Sequence, residues 1–219
     1  MQKQCIAIVP LFNHLSPAEM TEILAATSSI TFRKGETIYR AGELSDGLYI
    51  IHKGKIKIYR LSNMGKEQLV RMVGPGNFTG ELSLFREMTH DAYAEAMEDV
   101  EICRMDRHKF QQFLIAYPAI SLKMLSEFSL RLSQVENQAT HIALETAETR
   151  IAMFLANEVE NQKSIQISLG MSRKDLASFL GTTPETVSRK LTEFEAAGWI
   201  RQHKGQTIEI IDLDALLLL

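Results

Sequence analysis

The stretch SRKDLASFLGTTPETVSRKLTEFEAAGWI, residues 172–200, restricts the folds open to this chain more than any other. It predicts two short helices joined at Gly181, the second opening on Thr183-Pro184-Glu185 and closing before Gly198. Thr183 suits an N-cap, and Pro184 suits the first helical position, where its missing N–H would be unpaired anyway. Val187, Leu191 and Phe194 fall at i, i+4 and i+7, one buried stripe. Glu185, Ser188 and Arg189 lie at i, i+3 and i+4 on a different face. Arginine can take both acceptors of a guanine, and glutamate can accept from a cytosine amine, so this edge is equipped to read bases in a major groove.

An exposed ion pair on an ordinary amphipathic helix is the alternative reading of an isolated Glu-x-x-x-Arg. The surroundings weigh against it. Ser172 caps the first helix, with Asp175 three residues on, a weaker form of the capping box. After the second helix, Trp199–His203 and Thr207–Ile211 flank Lys204-Gly205. Two β-rich runs around such a turn form a hairpin, and a hairpin after two helices is a wing. The candidate DNA-contacting residues of this winged helix-turn-helix are Glu185, Ser188 and Arg189, with Ser172, Arg173, Thr183, Thr186, Lys190 and Lys204 around them.

Residues 28 to 110 are strand-like and punctuated by glycine, with short runs such as Leu48–Ile51, Lys55–Tyr59 and Leu69–Val73. Many short strands with frequent turn signals predict an all-β barrel or roll. A short helix over residues 16–27 precedes it, capped by Ser16 with Pro17 at the first position. After Pro118 the period changes. Leu125, Phe128, Leu132, Val135, Ala139 and Ile142 step by 3, 4, 3, 4, 3, the seam of a two-stranded coiled coil or the core stripe of a buried helix. An uncovered seam there predicts a two-fold homodimer, and such dimers read palindromic half-sites. A further helix over 146–161 leads to a strand at 165–169. The expected architecture is α+β: a β-roll sensor domain (1–115), a dimerisation helix (116–144) and a winged helix-turn-helix domain (145–219).

A net charge of −3 over 219 residues advertises no nucleic-acid partner by itself. The local balance differs: Arg173, Lys174, Arg189, Lys190, Arg201 and Lys204 face only Asp175, Glu185, Glu193 and Glu195 within residues 171–206. No apolar run reaches the roughly 18 residues of a membrane span, and no signal peptide opens the chain, so the expectation is a cytoplasmic protein without a membrane partner. The terminal Leu216–Leu219 run is expected to pack on the last strand or to fray. No nucleophile elbow, Walker A loop, metalloprotease helix or dinucleotide turn is present, so an enzyme is not expected.

The order of roll, long helix and winged helix resembles the CRP/FNR family of bacterial transcription regulators across essentially the whole chain. Gly80-Glu81-Leu82-Ser83-Leu84-Phe85 is similar to the family's Gly-Glu-Leu-x-Leu-Phe stretch. Arg173-Lys174-Asp175-Leu176-Ala177, leading to Gly181 and Glu185-Thr186-Val187-Ser188-Arg189, resembles its DNA-reading signature. Glu185, Ser188 and Arg189 resemble the FNR-type Glu-x-x-Ser-Arg triplet, whereas cAMP-receptor types carry an arginine where this chain has Pro184. The resemblance implies TTGAT half-sites in an inverted repeat, double-stranded DNA and RNA polymerase as partners, and an effector pocket around Gly80, Glu81, Leu82, Asp91 and Ala92.

Cyclic-nucleotide receptors of the family pair the cyclic phosphate with an arginine. Counting from Gly80, that position here is Asp91, whose carboxylate would repel it, so cAMP is not expected as the effector. Oxygen-sensing FNR proteins hold an iron–sulfur cluster on four cysteines; two cysteines, Cys5 and Cys103, exclude such a cluster within one subunit. No cofactor is expected, and the six histidines form no compact ligand set. The two-cysteine layout resembles the FNR-like (Flp) proteins of lactic acid bacteria, for which a dithiol–disulfide switch is implied. A Cys5–Cys103 bond would close a loop worth roughly 4–5 kcal/mol in the chain-entropy model. Arg104, Arg107 and His108 would favour the Cys103 thiolate, Arg104 less so if the strand turns it to the opposite face. The alternatives are a core thiol at Cys103 beside an unconnected Cys5, or a different small effector in the roll.

Overall fold

A computed structural model describes residues 9–219. Cys5 therefore lies outside the described residues. Packing divides the chain into two units, the first running through Arg131 and the second from Leu132 to Leu219.

The first unit opens with helix α1 (Pro17–Ala25). Ser16 and Glu19 form a full capping box there: Ser16 Oγ accepts from the Glu19 N–H, and the Glu19 carboxylate accepts from the Ser16 N–H at 2.7 Å. The roll follows: β1 (Thr27–Phe32), β2 (Thr37–Tyr39), β3 (Leu44–Ser45), β4 (Gly47–Lys53), β5 (Ile56–Leu61), β6 (Glu67–Val73), β7 (Phe78–Thr79), a 3-10 turn at Glu81–Leu84, β8 (Met88–Thr89), β9 (Tyr93–Ala96) and β10 (Val100–Asp106). Two antiparallel four-stranded sheets, ordered β1-β10-β4-β7 and β2-β9-β5-β6, face each other, and β3 pairs with β8. Helix α2 (Arg107–Ala116) and the start of helix α3 (Pro118–Leu144) close the other side of the first sheet.

This arrangement explains why Leu48–Ile51 reads as an unbroken apolar run. Leu48 and Ile50 point into a core shared with Phe110, Phe113, Ile120 and Met124, while Tyr49 and Ile51 point into the core between the sheets. A strand buried on both faces has no polar phase to show. The second sheet is wet outside, so β5 alternates, with Ile56 and Ile58 buried and Lys57 and Tyr59 half-buried. Gly80 permits the close approach of the 3-10 turn to β4. Its φ is +84°, and a Cβ there would stand 2.4 Å from the Gly47 carbonyl oxygen.

The second unit holds the end of α3, helix α4 (Ala147–Gln162, capped by Thr146), strand β11 (Gln166–Ser168), helix α5 (Arg173–Phe179), helix α6 (Pro184–Ala196), strands β12 (Ile200–Gln202) and β13 (Thr207–Ile210), and helix α7 (Leu213–Leu217). The sheet order is β11-β13-β12, with a single 3-10 turn at Lys204–Gln206 joining the wing strands. Val187, Leu191 and Phe194 are fully or almost fully buried, the stripe that the sequence predicts, and Ile151, Leu155 and Leu176 are buried with them. The C-terminal leucine run departs from expectation. It does not lie on the last strand: Asp212 caps a helix whose Leu216 is buried and that packs on α4, while Leu217, Leu218 and Leu219 are exposed.

The long helix spans 27 residues, and its first half packs in the first unit while its second half packs in the second. Along the predicted seam, Leu125, Leu132 and Val135 are each about 60% exposed and Ala139 is exposed. Ile142 is exposed at its edge and sits beside Gly181. Phe128 departs from the seam: it is half-buried against the first core and meets Phe85 edge-on at 5.9 Å.

Candidate DNA-reading head and sensor pocket

The reading helix α6 is built as its cap predicts. Thr183 accepts from the Thr186 N–H at 3.2 Å, and Thr186 Oγ1 lies 3.1 Å from Thr183 Oγ1, so both hydroxyls are used to start the helix. Burial of Val187, Leu191 and Phe194 turns Glu185 and Arg189 outward, with Ser188 half-buried beside them. The carboxyl of Glu185 is held below the usual carboxylate range by its own backbone N–H at the helix start and by Thr183, so it is a ready acceptor. The Arg189 side chain is 66% exposed and, among the described residues, its ion pair is to Glu193 at 3.7 Å, which leaves its fork able to face another partner.

The Lys190 ammonium pairs with Glu193 at 2.6 Å and with Glu148 of α4 at 3.1 Å, and both pairings raise its pKa. These contacts tie α6 to α4. Ser172 is spent as the cap of α5, accepting from the Asp175 N–H and bonding its carboxylate at 2.6 Å. Arg173 donates to Gln202 Oε1 at 2.5 Å, and Gln202 is held in turn by Glu195, so a chain of polar contacts ties α5 and α6 to the wing. Lys204 is exposed at the wing turn. Sequence reasoning missed Glu148, Glu195 and Gln202, because single contacts between elements leave no periodic signal.

In the roll, Glu81 is 7% exposed and its Oε1 accepts from Arg71 at 2.8 Å and from Arg131 at 2.6 Å. Its Oε2 is buried and finds no hydrogen-bond partner among the described residues. Burial lowers the pKa of Arg131, opposed by the charge of Glu81. Nearby, Tyr39 donates or accepts with Thr79 at 2.7 Å and stacks on His90 at 3.7 Å between ring centres. Desolvation pushes the Tyr39 phenol up to about 12 and lowers the His90 imidazole.

Two expectations for this pocket change. Leu82, in the 3-10 turn, is 57% exposed, unlike its neighbours Glu81 and Leu84. Asp91 is not a bare carboxylate: Arg60 pairs with it directly. Ala92 is buried, as is Glu81, and Gly80 provides the turn between them and β4. Asp91 stands at the counted phosphate position, and the guanidinium groups of Arg60, Arg71 and Arg131 are each paired with a carboxylate.

Cys103 is buried in the core with Ile50 and Met105. The cations expected to favour its thiolate are drawn elsewhere. Arg104 pairs with Asp46 at 2.6 Å across the Tyr49 ring on the opposite face of the strand, Arg107 pairs with Glu87 at 2.8 Å, and His108 is exposed.

A roll holding a buried polar cluster, a long helix and a winged helix-turn-helix together define the architecture of a DNA-binding transcription regulator. Residues 29–117 match the cyclic nucleotide-binding domain, and residues 149–219 match the Crp-like helix-turn-helix domain. The chain is 31% identical to the probable transcriptional regulator flp of Lacticaseibacillus casei, over 98% of this chain and 97% of that one. It is 28% identical to the CRP-like cAMP-activated global transcriptional regulator of Mycobacterium tuberculosis, over 97% of each. Among solved structures, FixK2 of Bradyrhizobium japonicum is 25% identical with a TM-score of 0.77, covering 87% of this chain and 95% of that one. A CooA variant of Carboxydothermus hydrogenoformans shares the fold at 23% identity and a TM-score of 0.78, covering 89% and 88%. The chain belongs to the CRP/FNR family of DNA-binding transcription regulators. It is therefore a regulator and not an enzyme. Among the described residues no single helix is long and apolar enough to cross a membrane.

Proposed function

We propose that this regulator acts in the cytoplasm as a homodimer on an inverted repeat of TTGAT-type half-sites, in contact with RNA polymerase. The reading edge carries the proposal: Glu185, Ser188 and Arg189 face away from a fully buried stripe, and among the described residues Arg189 is engaged only by a loose ion pair. Arg189 takes a guanine, Glu185 a cytosine amine, and Ser188 meets a thymine. The exposed Leu125, Leu132 and Val135 supply the seam for a second copy, with Ala139 between the chains. The input is a thiol–disulfide change between Cys5 and Cys103, and cAMP is not the effector. A second input is favoured by one observation, the unpartnered Oε2 of buried Glu81, which suits a small effector with a hydrogen-bond donor in the roll.

Fluorescence anisotropy with a labelled TTGAT inverted repeat and a scrambled control, each in dithiothreitol and in diamide, tests both halves. Preference for the repeat and a difference between the two redox conditions that Cys5→Ser abolishes are the expected results. No preference over the scrambled site sinks the DNA-reading assignment. Equal affinity in both conditions sinks the redox switch and leaves the effector in the roll.

A further inference from the structure

Arg150, in the first turn of α4, plays no part in the function derived so far, yet its guanidinium gives every nitrogen to a backbone carbonyl. Nε donates to Leu180 O at 2.9 Å and Nη2 to Gly181 O at 3.3 Å. Nη1 donates to Glu145 O at 2.6 Å and to Ile142 O at 3.5 Å. The first two carbonyls close α5 at the turn that launches the reading helix; the other two close α3. A helix C-terminus leaves its last carbonyls without intrahelical donors and carries the negative end of the dipole. One planar guanidinium here satisfies two such ends at once, which a lysine ammonium, a compact point charge without that fork, does not match.

Two contacts beside it act in the same direction. Gln138 of α3 donates to Phe179 O at 3.0 Å, and the Ile142 side chain stands 3.7 Å from where a Cβ of Gly181 would be. The turn at Gly181, with φ +63°, is thus held to the end of the long helix by a guanidinium, an amide and an apolar contact.

We propose that Arg150 is a positioning residue for DNA reading. It touches no base. By fixing the Gly181 turn to the last turn of α3 it sets the direction in which α6 leaves that helix, and so the separation at which two reading helices meet two half-sites. The proposal rests on the dimer and inverted-repeat reading above. A dimer must match its two heads to half-sites about one helical turn apart. A loosened head still reads its own half-site but loses the gain that comes from binding both at once.

The test uses full-length wild type, Arg150→Gln and Arg150→Lys. Inverted repeats are selected by the wild type from a randomised pool and then varied in spacer length one base pair at a time, beside a single half-site probe. The only tryptophan, Trp199, lies in the head and reports its integrity by fluorescence. Arg150→Gln is expected to weaken binding to the best inverted repeat by about tenfold or more, to leave the single half-site within about twofold, and to flatten the dependence on spacer length. Arg150→Lys should fall between the two. Equal losses on half-site and full site mean a merely structural role and overturn the proposal, as does an unchanged spacer profile. A wild type that selects no two-fold site sinks the dimer reading, and this proposal with it.

Discussion

Arg189→Ala separates folding from reading with little ambiguity. The side chain is 66% exposed and its one ion pair among the described residues, to Glu193, spans 3.7 Å. An exposed i, i+4 pair of that length contributes at most a few tenths of a kcal/mol, so the variant should melt within about a degree of wild type. On DNA the change removes a bidentate contact to guanine worth about 1–3 kcal/mol per half-site. A symmetric dimer loses it twice, about 2–6 kcal/mol in all, or roughly 30-fold to more than 10,000-fold in affinity for the correct site. Anisotropy titrations on the TTGAT repeat, and on a repeat with the guanine pair exchanged in both halves, measure this directly. Wild type should discriminate between the two probes, and Arg189→Ala should bind both with nearly the same weak affinity. If the variant keeps the wild-type ratio between probes, Arg189 does not read that guanine and the assignment of the edge is wrong.

In the roll, Glu81→Gln leaves the Arg71 and Arg131 guanidinium groups without their shared carboxylate. Breaking a largely buried ion cluster costs about 3–5 kcal/mol, so calorimetry should show the roll melting many degrees lower while Trp199 fluorescence reports an unchanged head. An unchanged roll transition refutes the cluster's role. Burial raises Tyr39 from near 10 to about 12, so its contribution is complete below pH 10 and is lost as pH climbs through 12. Phenolate absorbance should show one tyrosine ionising only near pH 12, and its absence in Tyr39→Phe identifies it. Gly80→Ala places a Cβ 2.4 Å from the Gly47 carbonyl at φ +84°, and should destabilise the roll by about 2 kcal/mol or more in urea titrations. A shift under a few tenths would mean that the turn relaxes freely.

Much of the head was legible because its signals are local. A Thr-Pro cap, a stripe at i, i+4, i+7 and a Lys-Gly hairpin turn each specify a shape within a few residues, and all three stand in the structure. The Lys190–Glu148 pair was not legible, because Glu148 lies more than forty residues upstream on another helix. The same limit hid the Arg71–Glu81–Arg131 cluster and the Arg60–Asp91 pair, which join residues from separate strands and a helix. Phe128 obeyed the heptad spacing yet turned to Phe85, because a helix lying on a core presents two apolar faces and spacing alone does not say which one a residue serves. The C-terminal leucines form too short a run to show a period, and only the Asp212 cap marks the helix.

The long helix, expected as a dimerisation element of its own, crosses from one packing unit to the other near Arg131. Its last three turns are therefore part of the floor on which the reading helix stands. A head excised at residue 145 would lack Gln138 and Ile142, and Phe179 and Gly181 would face water where they now meet protein. A piece that keeps these contacts has to include the helix from Gln138 onward, within the unit that starts at Leu132.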